Sequence, residues 1–163
     1  MKIYHGSTVI VKEPKIIQSD NFLDFGRGFY TTTTLEQAVR WAKIKMKRVK
    51  MDLGFVSVYE FDFDMAKTQT DIFRFETADK GWLKFVVSNR KGKEICKAED
   101  IQIGPIADDN VYKTVTLFEQ GVYDTKETIK RLKTEILKEQ WVFRSDKALK
   151  FLKFIEAREI NNE

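Results

Sequence analysis

The chain contains a single imidazole, and it lies in the run Tyr4-His5-Gly6-Ser7. Some twenty residues later comes the tightest turn sequence, Gly26-Arg27-Gly28-Phe29-Tyr30. Each residue type here has a chemical use. Histidine donates or accepts a hydrogen bond near neutral pH, and the glycine beside it has no Cβ to keep a ligand off the main chain. Ser7 adds a hydroxyl. The Arg27 guanidinium suits a planar or phosphate-like anion. The Tyr30 ring offers a flat apolar face at low entropic cost. Two later runs bring carboxyl chemistry: Glu139 with Gln140 beside it, and the adjacent pair Asp108 and Asp109. An acidic pair can supply a charge or activate an acceptor; a turn or a helix N-cap is its plainer use.

Those side chains need strands and turns to hold them. "MKIYHGS" reads as a short strand ending at Gly6, and "GFYTTT" as a second strand after the Gly26–Gly28 turn, with loop between. Thr33 and Thr34 followed by Glu36 and Gln37 form a capping-box signature. Leu35, Ala38, Val39, Ala42, Met46 and Val49 then recur at helical spacing, with Arg40, Lys43, Lys47 and Lys50 on the wet face. "FVSVYEFDF" alternates as a strand with Phe55, Tyr59, Phe61 and Phe63 on one side, and "IFRFE" is another.

"TADKGWLKFVVSNRK" reads as a helix turning Trp82, Phe85 and Val86 inward, with Asn89 and Arg90 at its end, where the helix dipole is reason enough for a cation. "EDIQIGPIADDNVY" begins as a strand, breaks at Gly104–Pro105 and leads to a helix holding Val111, Val115 and Phe118. Asp124 with Glu127 offers a second capping box, followed by Ile129, Leu132 and Ile136. "QWVFR" is a short strand, and "SDKALKFLKFIEA" reads as a last helix with Ala148, Leu152 and Ile155 on one stripe. Strands and helices mix without regular alternation, so the pattern predicts α+β rather than a doubly wound sheet.

The 163 residues fit one domain, 1–163, with enough apolar mass (42%) for a core. Cys96 stands alone, which excludes an intramolecular disulfide and a clustered-cysteine zinc site. The N-terminus lacks the apolar run of a signal peptide, and no stretch of about 18 apolar residues occurs. These features predict a cytoplasmic protein with no membrane partner. A net charge of +4 is compatible with a nucleic-acid or acidic-protein partner. The basic run Lys43–Asp52 suits phosphates, but on a predicted wet helix face it reads first as solvated surface.

His5-Gly6-Ser7, then Gly26-Arg27-Gly28-Phe29-Tyr30, then the strand in "KEQWVFRS" resemble the three short motifs of the ADP-ribosyltransferase superfamily, the fold of diphtheria-type toxins and poly-ADP-ribose polymerases. Within it the chain is similar to the bacterial domain-of-unknown-function family DUF3990, a resemblance that also covers "GWLKFVVSNR", "DIQIGPIADDNVY" and "EQWVFRSDKALKFL". It implies a split β-sheet core flanked by helices, with NAD as co-substrate in a cleft between two small sheets. It further implies a mono-ADP-ribosyltransferase, of the glycosyltransferase class, acting on an unidentified protein or nucleic-acid acceptor. Such an enzyme would fit a bacterial toxin paired with an antitoxin. The alternative is a module that binds NAD or a related nucleotide without transfer.

Carried over by position, His5 meets a ribose hydroxyl, Gly6 holds the nicotinamide carboxamide through its backbone, Ser7 assists, and Tyr30 stacks on nicotinamide. Arg27 and Gly28 lie in the turn, and Arg27 is placed to meet the pyrophosphate. The family's glutamate stabilises the cationic ribose as nicotinamide departs. The aligned position here is Gln140, with Glu139 immediately before it. Neighbours on a strand point to opposite faces, so both cannot serve the cleft unless a bulge intervenes.

Overall fold

A computed structural model describes residues 1–17, 23–135 and 137–162. Residues 18–22, which fall within the predicted loop, Ile136 and Glu163 lie outside them. Among the described residues, seven strands form one mixed sheet in the order β4-β5-β6-β2-β1-β3-β7. They are β1 (Lys2–Ser7), β2 (Phe29–Thr32), β3 (Leu53–Phe61), β4 (Ile72–Arg74), β5 (Ile101–Pro105), β6 (Glu139–Phe143) and β7 (Leu152–Asn161). Six helices among the described residues join them: α1 (Leu35–Val49), α2 (Phe63–Gln69), α3 (Lys80–Arg90), α4 (Asp109–Glu119), α5 (Thr125–Leu132) and α6 (Asp146–Leu149). The α+β expectation holds in this form.

The sheet is uneven along its width. β1 is in register with β3 over six pairs, Lys2 with Glu60 to Ser7 with Phe55. β2 is in register with β6 over four. Between β1 and β2 only Tyr4 and Thr32 pair. The two expected small sheets are therefore one sheet, joined at its middle by a single rung.

Alternation sorts the core into layers. One face carries Ile3, Phe29, Tyr59, Phe61, Trp141 and Phe143, interlocked edge to face: Phe61 lies 5.2 Å from Phe143 and 5.8 Å from Trp141 between ring centroids. The other face packs against helices. Val142 meets Trp82, Phe85 and Val86 of α3 and Val111 and Val115 of α4, and Val56 and Val58 meet Ala38 of α1. Trp82, Phe85 and Trp141 are core residues, as their spacing predicts.

Local signals held unequally. The Asp124 side chain accepts the Glu127 amide as predicted, and Asp79 likewise caps α3. Thr34 occupies the N-cap of α1 without a side-chain cap bond, so the predicted capping box does not form; Glu36 instead pairs with Lys138 at 2.8 Å. Phe63 opens α2 rather than extending β3, because Asp62 caps that helix through the Met65 amide.

The predicted C-terminal helix is the clearest correction. Helix α6 stops at Leu149, and Leu152–Asn161 is a strand paired with β3 from end to end, with one irregularity at Val58/Tyr59. The stripe of Ala148, Leu152 and Ile155 is a chance match to helical spacing. The long ladder along β3 outweighs local propensity.

Candidate functional site

Extending the single Tyr4–Thr32 pair would place Gly6 opposite Tyr30. The ladder does not continue there. The Tyr30 carbonyl accepts a hydrogen bond from Nδ1 of His5 at 2.6 Å, and the Gly6 carbonyl accepts one from Nζ of Lys45 on α1 at 2.9 Å. A side chain of β1 and one of α1 thus bond to carbonyls at the notch where the strands part. A carbonyl only accepts, so Nδ1 carries the proton and Nε2 of the neutral ring is an acceptor. The ring also stacks on Phe29, with centroids 4.3 Å apart. Burial above all, with the Lys45 charge adding to it, holds the imidazole pKa at about 3.

Gly6 lets α1 lie directly on β1. A Cβ at Gly6 would overlap the carbonyl oxygen of Ala38 and stand 2.8 Å from the amide nitrogen of Ala42. Lys45 reaches its carbonyl from this close helix, and desolvation lowers its pKa. Gln37 and Trp41 precede Lys45 at four-residue steps, on the same stripe of α1. Gln37 is 2% exposed, and its Oε1 is buried with no hydrogen-bond partner. Gln37 and Lys45 are the residues that sequence reading missed. The first was read as a cap, and the inward turn of a lysine has no sequence signal.

The glycine turn is a braced structure. The Tyr30 hydroxyl donates to the Gly26 carbonyl at 2.6 Å and accepts from the Phe25 amide at 3.1 Å, and burial raises the phenol pKa well above its usual range. Arg144 donates to the carbonyls of Phe25 and Arg27, each at 2.9 Å, and pairs with Glu94 at 2.8 Å. Glu94 in turn accepts the Arg27 amide at 3.0 Å. Gly26 takes φ +71°, a left-handed conformation that glycine adopts without strain. The Arg27 side chain is exposed. Ser7, half-buried, ends β1 opposite Phe55.

Parity decides between the two β6 candidates. Gln140 pairs with Thr32 and so shares the face of Tyr30, Thr32, Tyr4 and Gly6. It is 3% exposed, and its Nε2 donates to the Pro105 carbonyl at 3.3 Å, leaving its Oε1 to accept. Glu139 lies on the opposite face, where it pairs with Arg74 and accepts from Nε1 of Trp141 at 3.0 Å; the Arg74 guanidinium also sits over that indole at 5.2 Å. His5 shares the Glu139 face, since it alternates with Tyr4. The structure therefore brings Gly6, Tyr30 and Gln140 to one side of the sheet. His5 reaches them through the main chain of Tyr30.

The chain is matched by the model of the family described as Protein of unknown function (DUF3990) over residues 1–154. It belongs to that family. Neither the curated proteins nor the solved structures contain a match.

Other sequence candidates of this DUF3990 chain fall elsewhere. Asp108 is the N-cap residue of α4 and makes no side-chain cap bond; the side chain of Asp109 lies outside the described residues. Asn89 and Arg90 do more than suit a helix dipole: Asn89 donates to the Asp24 carbonyl at 3.1 Å and Arg90 to the Asp24 carboxylate at 2.7 Å. They moor the entry to the glycine turn on α3. Glu139 also lines a cleft of about 510 Å³ with Phe75, Glu76, Leu132, Leu137 and Lys138, which does not include His5, Gly6 or Tyr30. No helix is long and apolar enough to cross a membrane among the described residues, nor do they hold a cluster of potential metal ligands.

Proposed function

We propose that this protein is an NAD-dependent mono-ADP-ribosyltransferase, with the parting of β1 and β2 as the nicotinamide end of its site. One observation carries the reading. After a single pair the central strands separate, and Gly6, Tyr30 and Gln140 share one face there, beside an imidazole of fixed tautomer.

The residues suit this co-substrate in kind. The acceptor nitrogen of His5 matches a ribose hydroxyl. The orphan Oε1 of Gln37 matches an amide N–H, whose bond would relieve a buried unpaired acceptor. The exposed Arg27 matches a phosphate anion. Positive charge grows on the ribose as nicotinamide leaves, so an acceptor near it helps the transition state more than the ground state. Gln140 offers a dipole there rather than a full charge. A toxin restrained by an antitoxin protein is the setting such an activity fits. Incubation with NAD labelled in the adenylate half, with and without cell lysate, tests the proposal. Released nicotinamide or label on a macromolecule supports it, and absence of both ends it.

A second reading, an NAD- or nucleotide-binding module without transfer, is favoured by one fact: the carboxylate of Glu139 is occupied by Arg74 on the far face. Calorimetric binding of NAD with no nicotinamide released over hours would select it.

A further inference from the structure

The positive charge of this chain is concentrated on one helix. Six of its 29 Lys and Arg, but one of its 25 Asp and Glu, fall in residues 35–50. That segment is therefore +5, the whole chain +4, and everything else together −1. The single acid, Glu36, is already paired with Lys138, which brings a further cation to the start of the helix. On the outer face of α1, away from the notch, Lys43 and Lys47 line a shallow groove of about 460 Å³ with Glu36, Val39, Arg40 and Ile44. Neither lysine has a carboxylate partner among the described residues. Arg48 and Lys50 extend the exposed basic surface to the helix end.

We infer that this outer face of α1 binds the sugar–phosphate backbone of a nucleic-acid strand. Lys43 and Lys47 stand about 6 Å apart along the helix axis, and flexible four-carbon stems let each ammonium reach its own phosphate on one strand. Val39 and Ile44, half-buried, give the groove an aliphatic floor for sugar edges. An acidic protein is a poorer fit, because protein interfaces centre on aromatic and apolar contacts with charge at the rim, and cations occupy the centre here. A membrane surface is poorer still. Interfacial helices bury their apolar side in lipid, whereas Ala38, Ala42 and Met46 are wholly buried against the protein's own strands. The inference stands apart from the transferase reading, since it needs neither NAD nor the residues of the notch.

Fluorescence anisotropy with a labelled 20-nucleotide uridine RNA tests it on the full chain. Affinity should fall about tenfold or more between roughly 50 and 200 mM salt, as released counterions demand. The double variant Lys43→Gln/Lys47→Gln should bind about tenfold more weakly at low salt, and its log–log salt slope should shrink by about 1.4. The control Lys126→Gln/Lys130→Gln, on exposed α5 positions, should match the parent. No binding, a flat salt response, or a Lys43/Lys47 variant equal to the parent overturns the inference. So does tighter binding to poly-glutamate or to phosphatidylserine vesicles than to the RNA.

Discussion

Nδ1 of His5 and the carbonyl of Tyr30 are 2.6 Å apart, joined by a side-chain bond where a continuing ladder would have joined two backbones. The lone imidazole is thus part of the sheet's architecture as well as a candidate ligand group. It takes the Tyr30 carbonyl and so fixes its own tautomer, which leaves Nε2 an acceptor.

That placement sets a pH dependence. Folded His5 titrates at about 3, while in the unfolded chain it titrates near 6.5. Between those values the unfolded state binds more protons, so His5 makes stability rise with pH across the window and fall as pH drops through it. The slope approaches about 1.4 kcal/mol per pH unit. Proton NMR reads this directly, because with one histidine the ring Hε1 gives a single signal. Its shift should stay constant from pH 8 to 5. Activity, likewise, should show no inflection near 6.5 arising from this residue.

Gly6→Ala should destabilise by about 3 kcal/mol or more. The new methyl group meets main-chain atoms of α1 that no rotamer change can move. Urea denaturation measures this, and a loss below about 1 kcal/mol would mean that α1 shifts off β1 at little cost.

Gln140→Glu should cost stability in a pH-dependent way. The buried amide now donates to the Pro105 carbonyl, and an ionised carboxylate there would face that oxygen with nothing to donate. A loss of about 2–4 kcal/mol is expected at pH 8, shrinking toward pH 5 as the carboxyl protonates. Paired melts at the two pH values check the trend.

Arg144→Ala should cost about 2 kcal/mol by removing charge-assisted bonds to the Phe25 and Arg27 carbonyls. The bond from Arg144 is also the chief reason that the Glu94 pKa is lowered. In the parent, the Glu94 contribution is present above its unfolded pKa and lost as pH falls. In the variant that acid sensitivity should diminish. Melts at pH 7 and pH 4 separate the two effects.

Turn residues and short apolar runs made β1, β2, β5 and β6 legible, and helical spacing did the same for α1 and α3, each of which buries one stripe. The strand β7 was not legible. Its extended conformation follows from pairing with a strand some hundred residues earlier in the chain, and Leu152 and Ile155 carry no mark of that partner. The site divides the same way. The pairing of His5, Gly6, Tyr30 and Gln140 into one region is a motif-level property. The facing of Gln140 and the diversion of Glu139 to Arg74 depend on register. The role of Lys45 depends on how closely α1 approaches a glycine.

The lone Tyr4–Thr32 rung has a thermodynamic consequence. It separates β4, β5, β6 and β2 on one side from β1, β3 and β7 on the other, and cooperative opening units tend to divide where pairing is thinnest. Amide protons along this seam should exchange with solvent sooner than those of the six-pair β1–β3 ladder. The molecule would then breathe along the same line on which its proposed chemistry lies, and any small molecule that bridged the seam would slow that exchange.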